Sequence, residues 1–154
     1  MQAHEDWVTG ILVPESNNRT LVTVSLDCAV KLWDRRTMFR DKIPKRVIKA
    51  HDRPVTGILD LPRLDMCLTF GQNRQMYVWS VNAESAIQRL DGHERPVVAV
   101  FEGKSWEELI SVDRGGSVVI WDARFFNKLQ TCDDASIIEQ GETWLSSDCC
   151  LQNP

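Results

Sequence analysis

Three segments of this chain run in parallel: His4-Glu5-Asp6-Trp7-Val8, His51-Asp52-Arg53-Pro54-Val55 and His93-Glu94-Arg95-Pro96-Val97. Each leads, 28 or 29 residues on, to a tryptophan: Leu32-Trp33-Asp34, Val78-Trp79-Ser80 and Ile120-Trp121-Asp122. The histidines step by 47 and then 42 residues, the tryptophans by 46 and then 42. Agreement at several marker positions in three copies defines an internal repeat of about 42–47 residues, a period that implies stacked structural units.

The texture inside each period is β. Short apolar runs near 8–13, 21–25, 30–33 and 46–50 are parted by Pro14-Glu15-Ser16-Asn17-Asn18, by Asp27-Cys28 and by a long basic segment. The second period shows runs near 55–60, 66–71, 76–81 and 86–90, and the third near 97–101, 109–112, 117–121 and 127–132. Four short strands per period, separated by turn residues, predict a four-stranded antiparallel sheet per repeat. No segment sustains a 3.6-residue apolar period, so few helices are expected.

The repeats resemble the WD-repeat family, whose propeller blades carry Gly-His near the start and Trp-Asp near the end. The resemblance covers about residues 4–132. Gly-His is literal in Gly92-His93, whereas His4 and His51 follow alanine; Trp-Asp is literal in the first and third copies and becomes Trp79-Ser80 in the second. The resemblance implies an all-β fold, a partial β-propeller of three blades (about 4–50, 51–92 and 93–132), with 133–154 a non-repeat tail.

The resemblance also implies a structural tetrad of His, Ser or Thr, Asp and Trp, with the Asp six residues before the Trp. The first copy supplies His4, Thr23, Asp27 and Trp33. The second supplies His51, Thr69 and Trp79, with Asn73 where the Asp belongs; Asn still accepts a hydrogen bond but lacks the charge that strengthens it. The third supplies His93, Ser111 and Trp121, but Gly115 occupies the Asp position and Asp113 stands two residues earlier. Gly115-Gly116 offers a tight turn and no acceptor side chain, so this tetrad is expected to lack its carboxylate.

A His, a hydroxyl and an Asp together invite comparison with a hydrolase triad. Here the hydroxyl is expected inside a strand, facing a tryptophan, where it locks turns together and meets no substrate. All three histidines of the chain are used in this way, the five cysteines lack ligand spacing, and there is no Gly-rich phosphate loop. No catalytic residue, metal site or cofactor is expected; a deep pocket with a carboxylate pair near Asp113 would reopen the question.

The same mapping gives candidate partner contacts. Trp7 takes the place of Pro54 and Pro96, beside the loop that bears the histidine, and aromatic side chains dominate interface energetics. Asp6, Arg53, Arg74, Arg95 and Arg114 fall on the same loops. Trp33-Asp34-Arg35-Arg36 and Trp121-Asp122-Ala123-Arg124 both read W-D-x-R, a tetrapeptide that resembles the docking box of substrate receptors for cullin-type ubiquitin ligases, with Arg36 and Arg124 as its carriers.

Charge is uneven. The stretch 35–49 holds seven basic residues (Arg35, Arg36, Arg40, Lys42, Lys45, Arg46, Lys49) against Asp41, a local +6 in a chain of net −4, so the remainder carries −10. Either a solvated loop or a contact for an acidic or phosphate-bearing partner fits this. No aromatics are interleaved at stacking intervals, so nucleic-acid recognition is not expected. The longest apolar run is the five residues Val97–Phe101, too short to span a bilayer, and no membrane partner is expected. The first six residues show neither the basic patch nor the apolar stretch of a secretory signal. Five cysteines (28, 67, 132, 149 and 150), odd in number and without a C-x-x-C pair, point to reduced thiols and an intracellular, cytoplasmic or nuclear setting.

Three blades do not make a ring, since closed propellers use 4–8. The chain is therefore expected to be a protein-interaction scaffold that is a piece of a longer propeller, a subunit of an assembly that completes the ring, or half of a six-blade homodimer. The alternative function is the ubiquitin-ligase substrate receptor.

Overall fold

In the computed structural model, which describes residues 3–132, the chain folds as three four-stranded antiparallel sheets in sequence order. The first comprises β1 (Val8–Leu12), β2 (Thr20–Ser25), β3 (Val30–Asp34) and β4 (Arg46–Ile48). The second comprises β5 (Val55–Leu61), β6 (Met66–Gly71), β7 (Gln75–Trp79) and β8 (Gln88–Asp91). The third comprises β9 (Val97–Glu102), β10 (Glu108–Asp113), β11 (Val118–Asp122) and β12 (Asn127–Cys132). Each sheet is a plain meander in which neighbours in sequence are neighbours in space. The only α-helix among the described residues is α1 (Met38–Asp41), one turn in the basic segment. The three sheets do not close on themselves, and the molecule is a partial propeller. The tail expected at 133–154, with Cys149 and Cys150, lies outside the described residues.

Alternation along the strands decides how the sheets stack, because successive side chains of a strand face opposite ways. In the first sheet the rung Leu12, Val22, Leu32 points at the second sheet, and Val22 and Leu32 are buried to within 2 %. It meets Val55, Ile58, Cys67 and Trp79, which share the opposite face of the second sheet. The second sheet repeats the arrangement: Leu68, Phe70, Met76 and Val78 meet Val100, Leu109, Val119 and Trp121 of the third. Trp79 and Trp121 thus each plug into the sheet before their own. Burying such large side chains fully gains roughly 2–3 kcal/mol apiece, as an upper bound.

Polar bonds fix the stacking sense. The Thr9 hydroxyl donates to the Val55 carbonyl at 2.6 Å, and the Glu15 N–H donates to Asp60 at 2.9 Å near the other ends of β1 and β5. The strands therefore run side by side in one direction, and equivalent loops gather at the same end of the molecule. Arg46 on the outer strand β4 reaches across to donate to the carbonyls of Val81 and Ala83.

Candidate functional site

Where the turn between the second and third strands of each sheet meets the loop leading into that sheet, the same backbone bond recurs three times. Leu26 N–H donates to Trp7 O (3.0 Å), Gln72 N–H to Pro54 O (2.9 Å) and Arg114 N–H to Pro96 O (2.8 Å). These bonds set the histidine-bearing loop against the turn, and the tetrad residues lie beneath.

In the first sheet the chain of polar contacts is continuous. Trp33 Nε1–H donates to Thr23 Oγ1 at 2.9 Å, Thr23 Oγ1 lies 2.7 Å from His4 Nε2, and His4 Nδ1 lies 2.8 Å from Asp27 Oδ2. In the Nδ1–H tautomer the ring donates to the Asp27 carboxylate, and Nε2 accepts from the Thr23 hydroxyl. Asp27 also accepts from the Glu5 N–H (3.0 Å) and the Ala29 N–H (3.0 Å). Burial alone would raise this carboxyl, but the bonds from Glu5, His4 and Ala29 outweigh it and hold it below the usual carboxylate range.

The second sheet keeps the geometry and loses most of the bonds. His51 Nε2 lies 2.8 Å from Thr69 Oγ1. His51 Nδ1, the Asn73 side-chain oxygen and Trp79 Nε1 are buried without hydrogen-bond partners among the described residues, and the Asn73 amide turns instead to Asp52 at 3.3 Å. Burial pushes the His51 imidazole down to about 4, against the weaker upward pull of Asn73 and Asp52. An amide cannot hold the imidazole proton as a carboxylate does, and a stronger charge stands next to it.

The third sheet departs from the expectation that its carboxylate is missing. Trp121 Nε1–H donates to Ser111 Oγ at 2.8 Å, and Ser111 Oγ lies 2.6 Å from His93 Nε2. Asp113, 3 % exposed, brings Oδ2 to 3.4 Å from His93 Nδ1, near enough to act through its charge but not to close the hydrogen bond that Asp27 makes to His4, so Nδ1 has no hydrogen-bond partner among the described residues. The cause is register. Asp113 pairs with Val97, as Ser25 pairs with Val8 and Gly71 with Val55, so it stands at the strand end and points to the same side as Ser111. Its other oxygen accepts from the Gly115 N–H (2.8 Å) and the Ser117 N–H (3.1 Å), much as Asp27 caps Ala29. Burial lowers the His93 imidazole, and Asp113 opposes that only in part. Gly115 acts through the space it leaves. A Cβ there would lie 2.7 Å from Arg95 Cδ, so its bareness lets the arginine lie across the turn.

The three hydroxyls cannot reach a substrate, since Thr23, Thr69 and Ser111 are at most 5 % exposed and committed to histidine. Near Asp113 the described residues form an open cleft of ≈ 410 Å³, lined by Glu94, Arg95, Asp113, Lys128 and Thr131 among others. Its Asp113 is buried and spent on the turn and on His93, so the cleft presents no carboxylate pair.

The candidate contact residues fall at two ends. Trp7 (80 % exposed), Asp6, Arg53, Arg74, Arg95 and Arg114 are all exposed on the tetrad end, and the Asp6 carboxylate accepts from the Trp7 N–H at 2.7 Å. Arg36 and Arg124 lie at the opposite end and behave differently. Arg36 is exposed and makes no ion pair among the described residues; Arg124 is held by Asp122 (2.9 Å) and Glu107 (3.4 Å). Sequence reasoning missed Asp113 as the histidine's partner and Arg46 as a brace between sheets. A carboxylate closing the strand before a Gly-Gly turn was the available signal for the first; the sequence holds none for the second.

The segment with the complete tetrad is also the one that a family model matches: residues 1–34 fit the description "WD domain, G-beta repeat". The chain belongs to the WD-repeat family. It is 24 % identical over 132 residues, 84 % of its length, to "Probable coatomer subunit beta'" of Schizosaccharomyces pombe, covering 16 % of that protein. It is 31 % identical over 112 residues, 71 % of its length, to "Cilia- and flagella-associated protein 337 B" of Tetrahymena thermophila, covering 8 % of that one. A shorter match, 35 % over 63 residues, spans 41 % of the chain and 8 % of "Probable E3 ubiquitin ligase complex SCF subunit sconB" of Aspergillus clavatus. This WD-repeat chain thus spans less than a fifth of the length of these curated relatives.

Proposed function

We propose that this WD-repeat chain is a non-catalytic protein-interaction scaffold that works as part of a longer propeller or a multi-subunit assembly. The observation that carries the reading is the state of its two outer faces. The third sheet's rung Phe101, Ile110, Ile120 is the counterpart of Leu12, Val22, Leu32, yet no further sheet packs on it among the described residues: Phe101 is 56 % exposed, and Ile110 and Ile120 are half-buried. The first sheet's tryptophan-bearing side leaves Ile11 67 % exposed, where Val100 in the third sheet is 6 % exposed. One end of the stack offers the face that receives a tryptophan; at the other, Trp33 is itself buried (2 % exposed) and Ile11 is the apolar side chain left open. Bare apolar faces of this kind are covered by partners in stable proteins.

Affinity capture of the tagged chain from its own cells tests this. A stoichiometric protein partner that is lost when Ile11→Asp and Phe101→Asp are introduced is expected. A chain that captures nothing while behaving as a lone monomer sinks the proposal. Trp7 and the arginines of the tetrad end are the proposed contact set for further partners.

A second reading is the substrate receptor of a cullin-type ubiquitin ligase. It is favoured by Arg36 of Trp33-Asp34-Arg35-Arg36, exposed and without an ion pair among the described residues, and by the likeness to a protein named as an SCF subunit. Arg124 fits it poorly because two carboxylates hold it. Ligase-adaptor binding that survives Arg36→Ala would remove this reading.

A further inference from the structure

The end of the molecule opposite Trp7 carries a surface that the scaffold reading does not use. At this end lie the loops joining the third and fourth strands of each sheet, and in the first sheet that loop is most of the basic stretch. Phe39 on α1 is 83 % exposed and Ile43, just past it, is 72 % exposed. Arg35, Arg36, Arg40, Lys42 and Lys45 are exposed around them, and only Arg40 is in an ion pair among the described residues, with Asp41 at 2.7 Å. The matching turn of the third sheet repeats the theme, with Phe125 67 % exposed and the Arg124 guanidinium 5.6 Å above its ring. Apolar tips thus stand at the same end of the first and third sheets, on either side of the second.

The geometry points to this end as a peripheral docking surface for an anionic lipid bilayer. Phe39 and Ile43 enter the headgroup–acyl boundary while Arg36, Lys42 and Lys45 meet lipid phosphates. Each part has a physical reason. Protruding apolar side chains gain from leaving water at the interface, and neighbouring cations gain from the negative surface. The carboxylates at this end are already matched, Asp34 by Arg19 at 3.0 Å and Asp122 by Arg124 at 2.9 Å, and charges more than a Debye length away, about 8 Å at physiological salt, are screened. An acidic peptide is the competing occupant, but a peptide needs a groove for its side chains. The ≈ 410 Å³ cleft lies at the third sheet, lined from the Gly92–Arg95 loop and the Asp113–Ser117 turn of the tetrad end. Tips spread over a broad end suit a plane. The expectation of no membrane partner rested on the lack of a spanning run, which peripheral contact does not need.

Co-sedimentation of the full chain with phosphatidylserine-containing vesicles, and with pure phosphatidylcholine vesicles, provides the test. Binding to the first alone, weakened by high salt, is expected. The pair Phe39→Ser and Ile43→Ser lowers the partition coefficient about tenfold or more, and Lys42→Glu with Lys45→Glu lowers it independently. All four side chains are exposed, so the far-ultraviolet circular dichroism of both variants stays that of the parent. Equal binding to the two vesicle types, or binding that neither variant changes, overturns the proposal. So does tight binding of soluble polyglutamate by a chain that ignores vesicles, which assigns the loop to an acidic peptide.

Discussion

Trp33, Trp79 and Trp121 occupy equivalent places and differ in one bond. Trp33 and Trp121 donate to a buried hydroxyl, whereas the Trp79 N–H has no partner among the described residues. Trp33→Phe therefore removes a hydrogen bond that Trp79→Phe does not, and its cost in a urea titration is expected to exceed the other's by about 1 kcal/mol. The second sheet also controls the acid response. His51 is neutral when folded, with its imidazole near 4 against an ordinary value of 6.5. A depressed value means full stability above the unfolded pKa and loss as pH falls from about 6.5 toward 4, on the order of 3 kcal/mol in all. His51→Gln should flatten the fall of melting temperature across that window, leaving a residual slope from His93, which is lowered by the same cause. The first tetrad was legible in the sequence because His4, Thr23, Asp27 and Trp33 keep family spacing and the backbone keeps regular register. The consequence of Asn73 was only half legible. That the amide lacks charge is plain from its chemistry, but that it turns to Asp52 depends on geometry.

Turns decide the next scale. Cys28 sits in the turn between β2 and β3 with φ 66°, where Gly116 in the third sheet adopts φ 87°. L side chains avoid this region, so Cys28→Gly is expected to stabilise the protein by about 1 kcal/mol in thermal unfolding. In the third sheet's turn the carboxylate belongs at 113 and the space at 115. Asp113→Ala removes the acceptor of two N–H groups and the charge beside a buried imidazole, and is expected to cost about 2 kcal/mol in the same measurement. Gly115→Asp, which restores the family spacing, brings a Cβ within 2.7 Å of the exposed Arg95 side chain, which can swing aside, so by itself it is expected to change stability little. The strands themselves were readable from short apolar runs and turn residues, and most observed ends fall close to those expected. The role of Asp113 was readable only from its place before the Gly115-Gly116 turn, because a register shift between Val112 and Asp113 re-aims the side chain and counting back from Trp121 misses it.

At the scale of the molecule, three blades pack through two copies of one interface and leave Phe101 exposed at one end and Ile11 at the other. The repeat period made the blades and the incomplete ring visible in advance. It could not show which side chains line the bare faces, since that follows from pleat and register together. Phe39, Ile43 and Phe125, exposed at the end away from the tetrads, were likewise hidden, because a loop's protrusion leaves no periodic trace. Whether the outer faces need covering is the deciding question for a three-blade stack. Sedimentation equilibrium of the purified chain over a range of concentrations reads this directly. The expected result is a concentration-dependent mass above the 17.6 kDa of one chain, abolished by Ile11→Asp and Phe101→Asp. A stable 17.6 kDa monomer at every concentration, with the parent sequence intact, would contradict it.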